Sequence, residues 1–248
     1  MSSVTSPSAL AARLLPLLDL TSLGEDDTPE QIQLLCARAR CGVLPAAVCV
    51  YPEHVSTARR ALAGAAVKIA SVVNFPDGGS DAARVEREIR RVLAAGADVI
   101  DMVLPWAAFC RGDVSAARAV VDAARRACGN AHVLKLILET GELATPGRIR
   151  AAAELGIAAG VDFLKTSTGK VAVNATPEAA ATVLDVIAAH GGRCGFKAAG
   201  GIREPADAAV YLQLAVARLG EGWVTPAHFR IGASALRDAL VSLAAAPP

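Results

Sequence analysis

Eight short, almost uninterrupted apolar runs, each leading into a helix-forming stretch, dominate this 248-residue chain. They are Leu15–Leu20, Ala46–Tyr51, Val67–Phe75, Asp98–Leu104, His132–Leu138, Val161–Lys165, Gly195–Ala198 and Phe229–Gly232. Their spacing is roughly 30 residues, the length of one strand-and-helix unit. Runs without polar alternation suit strands covered on both faces, the condition of a parallel sheet. Eight such units in a chain of this size predict an α/β fold, a closed (β/α)8 TIM barrel, over an open doubly wound sheet. No GxGxxG follows the first strand to favour the open sheet, and no linker-like stretch divides the chain, so residues 1–248 read as one domain.

The helices announce themselves by their starts. Thr28-Pro29, Thr145-Pro146 and Thr176-Pro177 each set a capping threonine before a proline that suits the first helical position. The first of these helices runs to about Arg40, the third to Ala189. Ser80–Ala95 is amphipathic, with Val85, Ile89, Val92 and Leu93 on one face. A short helix, Ser8–Leu14, precedes the first strand. Others cover the stretch from Pro52 to Ala63, Val114–Ala127, Pro205–Leu219 and Ser234–Leu243.

A formal net charge of +1 gives no reason to expect nucleic acid or an anionic membrane as partner. No run of 18 or more apolar residues is present to span a bilayer. Met1–Ala9 lacks the basic start and apolar core of a signal peptide, so the cytoplasm is the expected location. The six cysteines form no CxxC pair, and free thiols are expected. The four histidines are scattered, and neither a metal nor another cofactor is expected.

Against this apolar pattern, Lys165 stands where the strand Val161–Lys165 ends in the polar loop Thr166-Ser167-Thr168-Gly169-Lys170. Lys197 repeats the arrangement in Gly195-Phe196-Lys197-Ala198-Ala199-Gly200-Gly201. A lone strand-end lysine commonly snorkels to the surface. A buried one loses its proton more readily and becomes a nucleophilic amine, as Schiff-base chemistry requires. If the two strands are neighbours, each ammonium disfavours the other's protonation.

Other polar residues gather at the same ends of the strands, where barrels of this kind build their sites: Asp19, Thr21, Cys49, Asn74, Asp101, Lys135 and Glu139. Alternation places Lys165 on one face with Phe163 and Ser167, Asp101 with Val99 and Val103, and Lys135 with Val133 and Ile137. Parity leaves the absolute direction open, but an unpaired charge facing the helix layer is the costlier choice. Asp101 near several lysines suits either proton transfer or a salt bridge that only fills the barrel. Three loops then carry small residues that expose backbone N–H groups: Gly169-Lys170, Gly200-Gly201-Ile202-Arg203 and Gly232-Ala233-Ser234. With the cations Lys170 and Arg203, they predict a phosphomonoester site.

In the order of the chain, Leu18-Asp19-Leu20-Thr21, Val48-Cys49-Val50-Tyr51-Pro52, Val73-Asn74-Phe75-Pro76, Asp101-Met102-Val103, Asp162–Gly169, Gly195–Arg203 and Ile231–Ser234 resemble the motifs of the deoxyribose-phosphate aldolases. That family comprises class I, metal-independent aldolases, and the likeness covers about residues 14–242. The resemblance implies Lys165 as the Schiff-base lysine, with Asp101 and Lys197 as proton-relay partners. It implies a phosphate site of Gly169, Lys170, Gly200, Gly201, Arg203, Gly232, Ala233 and Ser234. Asp19, Thr21, Cys49, Asn74, Lys135 and Thr168 stand as substrate contacts, Cys49 without an essential chemical part. The substrate so implied is a sugar phosphate, 2-deoxy-D-ribose 5-phosphate. Dimers are the commonest symmetric assemblies, so a homodimer is the expected one. On this reading Asp101→Ala leaves the fold intact and removes most turnover.

Two departures from the family pattern stand out. Ala198 follows the second lysine where many members have proline. The chain stops at Ala246-Pro247-Pro248 without the terminal tyrosine of some bacterial members, its tyrosines being Tyr51 and Tyr211. Two other functions compete. One is acid–base isomerase or lyase chemistry by Asp101 and Glu139, which leaves the paired lysines unexplained. The other is a non-catalytic phosphate-binding barrel, which gains nothing from the buried charge.

Overall fold

In the computed structural model, which describes residues 6–245, the strands close on themselves in chain order, every neighbouring pair parallel. The strands are β1 Leu18–Thr21, β2 Ala47–Val50, β3 Lys68–Val73, β4 Val99–Val103, β5 Val133–Ile137, β6 Phe163–Lys165, β7 Gly195–Ala199 and β8 Phe229–Ala233. The helices are α1 Pro7–Leu14, α2 Pro29–Ala39, α3 Val55–Ala61, α4 Ala82–Ala94, α5 Trp106–Cys110, α6 Val114–Cys128, α7 Thr140–Leu143, α8 Pro146–Ala158, α9 Pro177–Ala189, α10 Pro205–Leu219 and α11 Leu236–Ala245. Beyond the eight-unit pattern stand α1 before β1 and the short α5 and α7 in βα loops. Ala246–Pro248, where the sequence reading found no terminal tyrosine, and the first five residues of Met1–Ala9 lie outside the described residues.

The threonine-proline starts act as the sequence predicts. Thr28 accepts from the Gln31 N–H while the Gln31 side chain accepts from the Thr28 N–H, and Thr145 and Thr176 accept from the Arg148 and Ala179 N–H groups. Each cap satisfies a donor that the first helical turn leaves orphaned.

Differences from the sequence reading lie at the edges of elements. The first strand begins at Leu18, not Leu15, because Leu15–Leu17, with Pro16 inside, forms a single 3-10 turn. Proline supplies no ladder donor, so the strand starts beyond it. α5 and α7 have five and four residues, too short for a periodic apolar signal. β8 runs to Ala233 and α11 starts at Leu236 rather than Ser234.

The uniform apolarity of the strands resolves into two cores. One face of the barrel wall, with Leu20, Val48, Val50, Ile69, Ile100, Met102, Leu136 and Phe196, packs under the helices. Each such side chain contributes about 1.5–3 kcal/mol by leaving water. The other face points to the barrel axis, where Ala47, Cys49, Ala70, Val72 and Val99 form a small second cluster. These are small residues, and they leave room for long side chains opposite. Gly195 goes further: a Cβ there would stand 2.5 Å from the Phe163 ring. The Phe163 ring in turn lies 5.8 Å below both the Lys135 ammonium and the Arg230 guanidinium, a cation–π floor under the charged interior. No described helix is long and apolar enough to cross a membrane.

Candidate active site

The register of the barrel puts the charged residues side by side. Asp101 of β4 pairs in register with Lys135 of β5, and Lys165 of β6 with Lys197 of β7. All face the axis, which settles the direction that parity left open. Asp101 Oδ1 accepts from Lys135 Nζ at 3.0 Å, and Oδ2 from Lys165 Nζ at 2.9 Å and Lys197 Nζ at 2.7 Å. Behind it, Asp19 binds Lys135 at 2.9 Å, Lys197 at 2.7 Å and Arg230 at 2.7 Å. Lys135, Lys197, Asp19 and Asp101 are fully buried, while Lys165 keeps 3% exposure and reaches the cavity above.

These contacts drive the two strand-end lysines apart. For Lys165, burial is the largest influence and lowers its pKa; the Asp101 carboxylate pulls it back up and the Lys197 charge pushes it down, leaving it below the ordinary 10.5. Burial acts the same way on Lys197, but Asp101 and Asp19 together overcome it and hold that ammonium well above the usual lysine range. The sequence argument that each lysine depresses the other therefore applies only to Lys165, and there burial outranks the neighbouring charge. For Asp101, burial favours the neutral acid, yet Lys135, Lys165 and Lys197 outweigh it and keep the carboxylate ionised. Like groups whose environments separate their titrations can serve different roles, here one lysine that releases its proton more readily and one that keeps it.

Above Lys165 opens a cavity of about 410 Å³. All the residues of the expected phosphate site line it: Gly169 and Lys170 from the loop after β6, Gly200, Gly201 and Arg203 after β7, and Gly232, Ala233 and Ser234 at the end of β8. Gly200 has φ +95°, which favours glycine, and a Cβ there would also stand 2.6 Å from the Asn174 side chain. α11 begins just beyond Ser234 and turns the positive end of its dipole toward this wall. α10 offers less, since Asp207 already accepts from the Arg203 and Glu204 N–H groups. Lys170 Nζ donates to the Leu23 carbonyl at 2.8 Å across the cavity mouth.

The remaining site residues of the sequence reading divide. Thr21 and Thr168 line the cavity; Asp19 and Lys135 lie beneath it in the ion network. Cys49 is buried in the small axial cluster, and that burial pushes its thiol upward, away from the reactive thiolate. Asn74 is not brought to the cavity. Its amide donates to the Gly79 and Val103 carbonyls, tying the loop after β3 to the end of β4. Glu139 is fully buried and its carboxyl accepts from the Thr168 N–H. Sequence reasoning passed over Arg230 and the wall formed by Ser22, Leu23, Gly24 and Asp27. A basic residue inside β8 was the available signal for Arg230; a loop wall has none. Among the described residues no cluster of three or more His, Cys, Asp or Glu is arranged to hold a metal ion.

The space around Lys197 supplies a prediction. Gly232 faces its stem so closely that a Cβ would stand 2.9 Å from Lys197 Cε. Gly232→Ala should displace the ammonium from Asp101 and lower turnover by about 10- to 100-fold, the scale of a small misplacement in a catalytic group. Steady-state kinetics on the folded variant checks this, and unchanged turnover would refute it.

Residues 14–242 match the DeoC/LacD family of aldolases. A deoxyribose-phosphate aldolase of Agrobacterium fabrum is 47% identical over 241 residues, 96% of this chain and 93% of that protein. A tetrameric deoxyribose phosphate aldolase from Aeropyrum pernix superposes with a TM-score of 0.75 at 26% identity, over 97% of this chain and 93% of its own. A Toxoplasma gondii ME49 protein, provisionally named a deoxyribose-phosphate aldolase, superposes with a TM-score of 0.85 at 25% identity, over 95% of this chain and 93% of its own.

Proposed function

The chain belongs to the DeoC/LacD aldolase family, and from that premise we propose that it reversibly cleaves 2-deoxy-D-ribose 5-phosphate to acetaldehyde and D-glyceraldehyde 3-phosphate through a Schiff base on Lys165. One observation carries the reading: Lys165 is the network lysine with a lowered pKa and the one that lines the cavity.

The neutral Lys165 amine attacks the C1 aldehyde of the open-chain sugar, and loss of water leaves an iminium. Asp101, acting through water and Lys197, takes the proton of the C3 hydroxyl. The O–H electrons form the C3 carbonyl, the C2–C3 bond breaks, and its electron pair moves into the iminium to give an enamine. D-glyceraldehyde 3-phosphate departs. C2 then takes a proton, and water hydrolyses the new iminium to release acetaldehyde and free Lys165. The glycine loops and Lys170 hold the phosphate and so orient the sugar over the amine. Deoxyribonucleoside catabolism in the cytoplasm is the setting that fits this reaction, and a homodimer is the proposed assembly.

Borohydride reduction with acetaldehyde should leave an ethyl group on Lys165 and not on Lys197, read by peptide mass analysis. The initial rate of labelling should rise with pH through a midpoint below 10.5, because only the neutral amine attacks and burial favours that form. No adduct on a folded protein that binds phosphate would remove the Schiff base.

A further inference from the structure

Glu139 is a buried carboxyl that the proposed chemistry does not use. It follows β5 and adopts φ 56° and ψ 63°, a left-handed conformation that is costly for any residue with a side chain. Such strain persists where surrounding contacts impose it. Here the Glu139 carbonyl accepts from the Glu142 and Leu143 N–H groups of α7, while the residues on either side reach toward the end of β6. The Leu138 N–H donates to the Lys165 carbonyl at 2.8 Å, and the Thr140 N–H to the Thr166 carbonyl at 3.0 Å. Between them, Glu139 turns its carboxyl to the same segment, and its two oxygens lie 3.2 and 3.3 Å from the Thr168 nitrogen. Among the described residues the carboxyl has no ion-pair partner, and burial raises its pKa against the opposing pull of Thr168 and Lys165. A buried carboxyl whose hydrogen-bonding partner is the one residue Thr168 is a costly way to fill space, so its contact calls for a use.

That contact is with the wall of the phosphate cavity. Thr168, Gly169 and Lys170 all line it, and Thr168 Oγ1 accepts from the Lys170 N–H at 3.0 Å, tightening the turn. We propose that Glu139 is a positioning residue for phosphate binding, its carboxyl holding the Thr168 N–H so that the turn from Thr168 to Lys170 keeps the shape that receives the phosphate. The proposal rests on the aldolase reading above. Without the acceptor, the buried Thr168 N–H must find another partner, and the turn rotates to supply one. Lys165 stays in place, held in the β-ladder and by the Leu138 contact. The loss therefore falls on binding and not on the chemical step.

Two variants of similar length separate the acceptor from the bulk. Glu139→Met fills the volume without accepting a hydrogen bond; Glu139→Gln keeps an acceptor. Glu139→Met should raise KM for deoxyribose 5-phosphate, and the Kd for inorganic phosphate by calorimetry, each about ten-fold, the scale of one buried donor left unpaired. Its kcat should stay within about three-fold of the parent protein, and Glu139→Gln should restore both binding constants to within the same factor, because its amide oxygen still accepts the Thr168 N–H. Unchanged binding in Glu139→Met, or a Glu139→Gln as impaired as Glu139→Met, would overturn the proposal. If Glu139→Met does not fold, Glu139→Ala replaces it, with amide exchange of Thr168 as a second readout. Faster Thr168 exchange together with weaker phosphate binding supports the role, and a phosphate Kd that matches the parent protein overturns it. A parent protein that binds phosphate without cleaving the sugar refutes the aldolase reading, leaving the phosphate comparison intact.

Discussion

Lys165→Met is expected to lose at least about 10⁴-fold in turnover, the scale lost when the nucleophile of a covalent mechanism is removed. No borohydride-trapped adduct should form at any pH. The same variant should be at least as stable as the parent protein. Lys165 is buried with one carboxylate partner, and Asp101 retains Lys135 and Lys197 after the change. Replacing a buried ammonium by an apolar chain of similar length removes a desolvation cost without stranding the opposite charge. The pH dependence follows from linkage. A lysine whose folded pKa is lowered contributes stability above its unfolded pKa and loses it as pH falls through the folded value. Lys165→Met lacks that loss, so its advantage in thermal unfolding should grow as pH drops through this range. Inactivity combined with undiminished stability identifies a chemical role; retained turnover would end the Schiff-base reading.

Asp101→Asn should lose both activity and stability. The carboxylate contacts Lys135, Lys165 and Lys197 within 3.0 Å, leaving Asp19 as the remaining carboxylate of the network. Removing one partner from a buried ion pair strands the others, at a cost of about 3–5 kcal/mol. The sequence reading expected Asp101→Ala to keep the fold; three lysines on this one carboxylate argue for a measurable loss of stability instead. Turnover should fall by about 10²–10⁴-fold, the range for a group that moves a proton in the transition state. Asp101 is held below its ordinary 3.8, so its stabilisation is present above that value and is lost as pH falls through the folded pKa. The stability deficit of Asp101→Asn in chemical denaturation should thus be full at neutral pH and shrink in strong acid. A deficit that does not change with pH would place the effect in packing, not charge.

The local sequence was enough to specify the barrel. Apolar runs without alternation, capping threonines ahead of prolines, and glycines at strand ends are short-range signals, and each has a short-range cause in strand burial, orphaned N–H groups or backbone freedom. The same signals singled out Lys165, Lys197 and Asp101, since a charge inside an apolar strand is conspicuous wherever it points. What local pattern could not carry was the balance among those charges. Lys165 and Lys197 look alike in sequence, each closing a strand before a glycine loop. Closure of the barrel gives Lys197 two carboxylates and Lys165 one, so the same burial lowers the pKa of one lysine and is overridden in the other. The backbone bend that aims Glu139 at Thr168 belongs to the same class, as does Asn74, which has the look of a strand-end ligand and instead ties the loop after β3 to the end of β4. The chain by itself determined which residues lie at the mouth of the barrel. Only the tertiary structure decided how protons are divided between Lys165 and Lys197, because a buried group's protonation depends on the charges that other strands bring within about 3 Å of it.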